Sequence, residues 1–404
     1  MMKPTYRALL ILLICLLPIG KAAAQSGIRL VSSEASYLYD DHLSISAQFE
    51  SQSRLIEGQA FIASDAGGPA EMIELELDSS QRVEIQLRIE GADRFPAFSH
   101  IQYWFLLTNA DGDLFESEKQ SIYYEDNRHD WQTLSHGAYS VRWYAGEAEF
   151  GAAILAAAQH GAERLAALLP LEPPSQLDFM VYPTADQLRD VLDLAGYDWI
   201  AGHTDPDLGW VMLAIGPDAA QSLEIERQVP HEVAHHMLIE NLGAERAAAL
   251  PLWLSEGLAS NTEAYSDPDR QQLLQLNHAA GTLIPLSQLC RAFPQDGDRA
   301  RLAYAQAADF LAYLHETAGD AGFRALFENY VSNPDCENGS QSVFAQSLSE
   351  LDAAWQQARF VPHTVTLEDH VAALPWDAIG YSALFAFLIF VFFGGLGGRG
   401  KEPR

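Results

Sequence analysis

Apolar and polar residues alternate with a period of two through the first third of the chain. The pattern is visible in His42-Leu43-Ser44-Ile45-Ser46-Ala47-Gln48-Phe49, in Glu71 to Leu77, and in Arg82-Val83-Glu84-Ile85-Gln86-Leu87-Arg88-Ile89. Such alternation marks half-buried strands. Ile101 to Thr108 reads as another strand, and the turn Asn109-Ala110-Asp111-Gly112-Asp113 leads to a partner near Leu114-Phe115. Around seven short strands in about a hundred residues predict an all-β, immunoglobulin-like sandwich over residues 26–126. The segment carries no chemical motif, so a spacer or substrate-presenting role is expected of it.

The period changes after the polar stretch Glu125-Asp126-Asn127-Arg128-His129-Asp130, which reads as a linker. Tyr139 to Tyr144 is predicted as a strand and Glu147 to Leu169 as a long Ala-rich helix. Pro173-Pro174 then breaks the chain before a strand at Leu177 to Tyr182, and a helix follows at Ala185 to Leu194. Gly209 to Ile215 is a strong strand. Helix Glu224 to Leu242 contains Pro230, which removes a backbone donor and can kink it. Further helices are expected at Pro268 to Ala279, Arg299 to Ala318, Gly322 to Val331 and Gln341 to Arg359. Mixed α and β elements followed by helices predict an α+β domain over 130–361, making the chain multidomain.

Both ends read as targeting segments. Lys3 and Arg7 precede the apolar core Ala8 to Ile19, and Lys21-Ala22-Ala23-Ala24-Gln25 offers a small-residue cleavage site; residues 1–24 are expected to be a signal peptide. Ala378 to Gly398 holds no charge and is long enough to span a bilayer as a transmembrane helix. Arg399, Lys401 and Arg404 follow, as in a cytoplasmic tail over 399–404, and residues 362–377 form a short stalk. The expectation is a single-pass cell-membrane protein, with its body outside the cytoplasm and its C-terminus inside. The net charge of −31 repels nucleic acid, which excludes that class of partner. Of three cysteines, Cys15 lies in the signal segment. Cys290 and Cys336 are then either one disulfide in an oxidising compartment or two unpaired buried thiols.

The candidate chemistry begins at His231-Glu232-Val233-Ala234-His235-His236, which contains H-E-x-x-H. Residues i and i+4 are neighbours on a helix, so His231 and His235 can hold one metal ion from the same side. Glu232 lies beside that site, where it can take a proton from a metal-bound water. Catalytic zinc takes three protein ligands and keeps one position open. Glu256 is a natural third ligand, because it sits in the apolar run Leu252-Trp253-Leu254-Ser255-Glu256-Gly257-Leu258-Ala259, where an unpaired charge is costly. His236 points about 100° round the helix from His235 and is expected to pack rather than to ligate.

HEVAHH followed by WLSEGLA resembles the gluzincin metallopeptidases, especially the peptidase-MA-like group, over roughly residues 130 to 360. The resemblance implies a zincin-like catalytic domain, with His231, His235 and Glu256 as ligands of one Zn2+ and Glu232 as general base. It implies that the strand at Gly209 to Ile215 borders the cleft and can pair with an extended substrate. It also implies that Tyr304, at the opening of a helix, hydrogen-bonds the developing oxyanion. The family's Lys-Gly after that tyrosine is Gln306-Ala307 here, and the alternative is a core tyrosine. Glu263, about two turns after Glu256, either orients a ligand histidine or lies at the surface. His203 reads as a loop residue.

The activity these features predict is zinc-dependent hydrolysis of a peptide or protein outside the cytoplasm. An aminopeptidase amine anchor is not visible near Gly209-Trp210-Val211-Met212-Leu213, so an endopeptidase is favoured. Two alternatives stand: a non-catalytic surface-binding or structural protein, and a zinc hydrolase acting on a non-peptide substrate. Neither the specificity nor the oligomeric state is readable from the chain.

Overall fold

A computed structural model describes residues 27–89, 95–192, 202–205, 209–218, 220–265 and 268–361. The expected signal segment, stalk, membrane span and tail lie outside these residues. Among the described residues no helix is long and apolar enough to cross a membrane.

The N-terminal region is β-rich. Its strands are β1 (Ile28–Leu38), β2 (His42–Ser51), β3 (Leu55–Ser64), β4 (Gly67–Glu74), β5 (Arg82–Arg88), β6 (Ser99–Asn109), β7 (Leu114–Glu116) and β8 (Gln120–Tyr124). One sheet has the order β1-β2-β5 and the other β4-β3-β6-β7, with β8 also on β6. The period-two pattern dictates which side chains turn inward. Leu43, Ile45, Ala47 and Phe49 of β2 are buried, as are Ile101, Tyr103, Phe105 and Leu107 of β6. Phe49 and Phe105 meet edge to face across the sheets at 5.3 Å.

The second region opens with β9 (Gln132–His136) and β10 (Tyr139–Trp143), followed by α1 (Ala148–Leu168), β11 (Leu177–Tyr182), α2 (Ala185–Leu192), β12 (Gly202–Asp205) and β13 (Trp210–Ala214). Its sheet has the order β12-β13-β11-β10-β9. The helices that follow are α3 (Gln221–Leu242), α4 (Ala244–Ala249), α5 (Leu252–Thr262), α6 (Arg270–Ala280), α7 (Gly297–Ser332), α8 (Gln341–Phe344) and α9 (Leu348–Phe360). Val141, Phe179, Val181, Val211 and Leu213 turn one face of the sheet toward the helical core.

Several expectations change. The strand at Gly209 to Ile215 is not an edge: β13 pairs with β11 in parallel and with β12 antiparallel. Its backbone groups are committed on both sides, so β12 holds the outer position, and His203 lies in that strand opposite Met212. The single helix expected at 341–359 is two. Ala345 takes a left-handed conformation (φ 55), and Ser347 and Glu350 then form a capping box that starts α9. The two helices expected at 299–318 and 322–331 are found within α7, where Gly319 breaks the helical run with a φ of 65 and a ψ of 174.

The polar stretch 125–130 is not a free linker either. Asp126 is fully buried and accepts both Nε and Nη2 of Arg128, at 2.7 and 2.8 Å. Trp131 Nε1 donates to the Asp126 carbonyl at 2.8 Å. Met180, Tyr182, Trp210 and Met212, on the second face of the α/β sheet, join one apolar cluster with the sandwich core. The two regions therefore share buried surface.

Two glycines set helix spacing around the site. A Cβ on Gly161 of α1 would stand 2.7 Å from Pro230 Cα of α3. A Cβ on Gly257 of α5 would stand 2.8 Å from the Ala307 carbonyl of α7. At both crossings only hydrogen fits between the helices.

Candidate metal centre

α3 carries His231, Glu232 and His235, and α5 carries Glu256. Trp253, Leu254 and Leu258 are fully buried and fix α5 against its neighbours. Each such side chain contributes about 1.5–3 kcal/mol on burial. Glu256, two residues from both Leu254 and Leu258 and so on the other side of the helix from them, reaches the α3 histidines.

Three ligand atoms converge there. His231 Nε2 lies 3.3 Å from His235 Nε2 and 3.3 Å from Glu256 Oε2, and His235 Nε2 lies 3.4 Å from Glu256 Oε2. Ligands about 2.0–2.1 Å from a tetrahedral zinc stand about 3.3 Å apart. Among the described residues, this His-His-Glu set is the one group of His, Cys, Asp and Glu with the spacing to hold a metal ion. Glu256 Oε2 is buried and makes no hydrogen bond. A buried carboxylate oxygen with no donor is costly, and a cation between it and the imidazoles removes that cost.

Glu263 decides which nitrogen of His231 is available. His231 Nδ1 stands 3.1 Å from Glu263 Oε1. An ionised carboxylate only accepts, so in the neutral ring Nδ1 carries the hydrogen and Nε2 keeps the lone pair, toward Glu256 and His235. Glu263 is the C-cap of α5, and its side chain is 9% exposed, so it is not a surface glutamate.

Burial works against a proton on His231, but the neighbouring carboxylates of Glu256 and Glu263, with the charge of Glu232, outweigh it and raise its pKa to about 10, so a metal at Nε2 would displace a proton. Burial alone would raise the Glu256 carboxyl. The neighbouring His235 and His231 reverse that and hold it well below the usual carboxylate range.

Tyr304 lies well inside α7, whose N-cap is Asp296, and not at a helix opening. Its ring is 6.1 Å from that of His231, centroid to centroid, and Phe293 packs edge-on against it at 5.0 Å. Burial, then the charges of Glu256, Glu232 and Glu263, push its hydroxyl pKa well up, so it stays protonated. Gln306, at the position where the family carries lysine, is fully buried and clamps a backbone instead. Its Oε1 accepts from Ile284 N at 2.9 Å and its Nε2 donates to the Ile284 carbonyl at 2.8 Å.

His236 turns away from the three ligand atoms. It is buried, and its Nε2 lies 3.4 Å from Glu240 Oε2. Cys290 and Cys336 form a disulfide with Cα atoms 6.1 Å apart, resolving that alternative. It closes a loop with a sequence separation of 46 around the start of α7 and Tyr304. Loop closure of that size contributes about 4 kcal/mol by restricting the unfolded chain.

Three parts of the site's support carry no signal in the sequence: Arg164, Thr262 and the backbone of Ala264. Pro230 was legible only as a kink.

With this geometry in place, comparison with known proteins gives the class. Residues 157–361, about half of the chain, match the Peptidase MA superfamily. The chain belongs to the Peptidase MA superfamily. No curated protein matches it significantly. Solved structures give only distant likeness. A family 56 carbohydrate-binding module that binds β-1,3-glucan is 11% identical, with a TM-score of 0.17, over 22% of this chain and 95% of its own. A polysaccharide deacetylase from Bacillus cereus is 15% identical, with a TM-score of 0.20, over 41% of this chain and 55% of its own. A β-glucuronidase from Parabacteroides merdae is 10% identical, with a TM-score of 0.21, over 54% of this chain and 27% of its own. None of these likenesses bears on the chemistry of the site.

Proposed function

We propose that this protein is a zinc-dependent peptidase of the gluzincin type, with an endopeptidase favoured, acting outside the cytoplasm on a peptide or protein. The observation that carries the reading is the convergence of His231 Nε2, His235 Nε2 and Glu256 Oε2 at 3.3–3.4 Å, the spacing of three corners of a zinc tetrahedron.

Zinc held by these three residues supplies Lewis acidity toward water and the scissile carbonyl. Glu232 takes the proton of the attacking water and passes it to the leaving amine. Tyr304, kept protonated by its surroundings, donates its hydroxyl hydrogen to the carbonyl oxygen as that atom gains charge. Glu263 holds the His231 ring so that Nε2 faces the centre.

The address rests on sequence: a cleavable signal over 1–24, a span over 378–398 and a disulfide suited to an oxidising compartment. We place the body outside the cytoplasm on a single C-terminal tether. The β-rich region, read as an immunoglobulin-like sandwich, serves as a rigid flank of the catalytic region.

The test uses the full-length chain and a diverse peptide library, with and without chelator, alongside elemental analysis. Chelator-sensitive cleavage is expected, with Glu232→Gln keeping its zinc and losing turnover by roughly 10²–10⁴-fold. Normal turnover by Glu232→Gln sinks the assignment. So does a zinc content that His231→Ala leaves unchanged.

A further inference from the structure

Pro230 sits inside α3 one residue before His231. Proline has no N–H, so the Glu226 carbonyl, four residues back, receives no hydrogen bond from within the helix. The Ala264 backbone N–H supplies one instead, at 2.8 Å. Beside it, the Thr262 hydroxyl lies 3.1 Å from the Pro230 carbonyl and 2.6 Å from the Ala259 carbonyl, with one hydrogen to share between them. Arg164, reaching across from α1, donates from Nη1 to the Thr262 carbonyl at 3.0 Å. The chain is therefore held on both sides of Glu263, at Thr262 and at Ala264. Glu263 itself leaves the helical conformation (φ −54, ψ 133), and its carboxylate meets His231 Nδ1 at 3.1 Å.

We infer that Pro230 is a positioning residue: by leaving the Glu226 carbonyl open, it docks the end of α5 onto α3 and so sets Glu263 against His231. The inference deepens the metal reading and rests on it. The physical reason is competition for one acceptor. Any other residue at 230 brings an N–H that reaches Glu226 along the helix, and the Ala264 amide then loses its exclusive partner. Alanine keeps the Cα and Cβ that Gly161 packs against, so the α1–α3 crossing survives the exchange.

The experiment compares the full-length protein with Pro230→Ala, Glu263→Gln and the double variant. Two quantities are read: zinc affinity by competition with a chromophoric chelator, and hydrogen–deuterium exchange of the peptide 262–265 in the metal-free protein. Pro230→Ala is expected to speed exchange at Ala264 and weaken zinc binding roughly ten-fold, as loss of an orienting partner does. Because Pro230 acts through Glu263, the double variant is expected to bind zinc no more weakly than Glu263→Gln alone. Unchanged exchange in Pro230→Ala, or penalties that multiply in the double variant, overturns the inference. Arg164→Met, on the exposed side of α1, tests the same dock without touching α3 should Pro230→Ala fail to fold. It must also speed exchange over 262–265, and no change there is equally fatal. If the unaltered protein binds no zinc, the metal reading falls, and the exchange data alone then judge the dock.

Discussion

Glu256 Oε2 lies 3.3 Å from Nε2 of His231, although the two residues belong to different helices and the carboxylate oxygen makes no hydrogen bond. Two imidazoles and the carboxylates of Glu256 and Glu263 share this small, mostly buried volume. A cation that binds the folded state alone stabilises it by mass action, by about 4 kcal/mol at a thousand times its Kd. Chelation is therefore expected to lower the melting temperature of the full chain, and zinc to restore it. The His231→Ala variant should show neither change. An equal zinc response in wild type and variant would place the ion elsewhere.

Tyr304 faces the ligand cluster with its hydroxyl protonated well above neutral pH. Removing only the oxygen, as Tyr304→Phe does, keeps the contacts to Phe293 and His231. The expected result is a fall in kcat of roughly 10²–10³-fold, with KM and zinc content little changed. Wild-type kcat would reduce Tyr304 to a packing residue.

Gly257 is the contact point of α5 and α7. A Cβ there would stand 2.8 Å from the Ala307 carbonyl, a backbone atom that cannot swing aside. Gly257→Ala is expected to destabilise the fold by roughly 1–3 kcal/mol through overpacking. Because Glu256 is the adjacent residue, a shift of α5 changes its distance from His231 and His235, and zinc affinity should fall as well. Denaturant titration and chelator competition on the same variant check both. A variant as stable and as tight as wild type contradicts the close crossing.

His236 gives a pH signature. Burial pushes its pKa below the ordinary 6.5, against the pull of Glu240. Below pH ~6.5 the unfolded chain then binds a proton that the folded chain refuses. Stability is expected to fall as pH drops from about 6.5 toward the lower folded pKa, and to be unaffected by this residue above that window. The difference in melting temperature between wild type and His236→Gln should therefore vary with pH only on the acid side. A difference that stays constant from pH 8 to pH 5 would rule the residue out as its source.

Much of the site was legible in one dimension because its chemistry is local. His231, Glu232 and His235 share one helical stretch, and helical geometry alone puts the two imidazoles side by side. Glu256 stood out as a charge inside an apolar run. The strands of the β-rich region were legible for the same reason, since alternation registers a buried face without reference to any partner.

What the sequence by itself determined is therefore the candidate ligand set and most of the order of elements. The tertiary structure alone decided relations between distant residues. It placed Glu263 on Nδ1 of His231, and the Ala264 amide on a carbonyl left open by Pro230. It gave β12 the edge expected of the strand at Gly209 to Ile215. It turned the polar stretch around Asp126 into a buried joint. Local patterns report periodicity and burial, whereas strand order, ring tautomer and the filling of a missing hydrogen bond depend on what the chain brings back from far away.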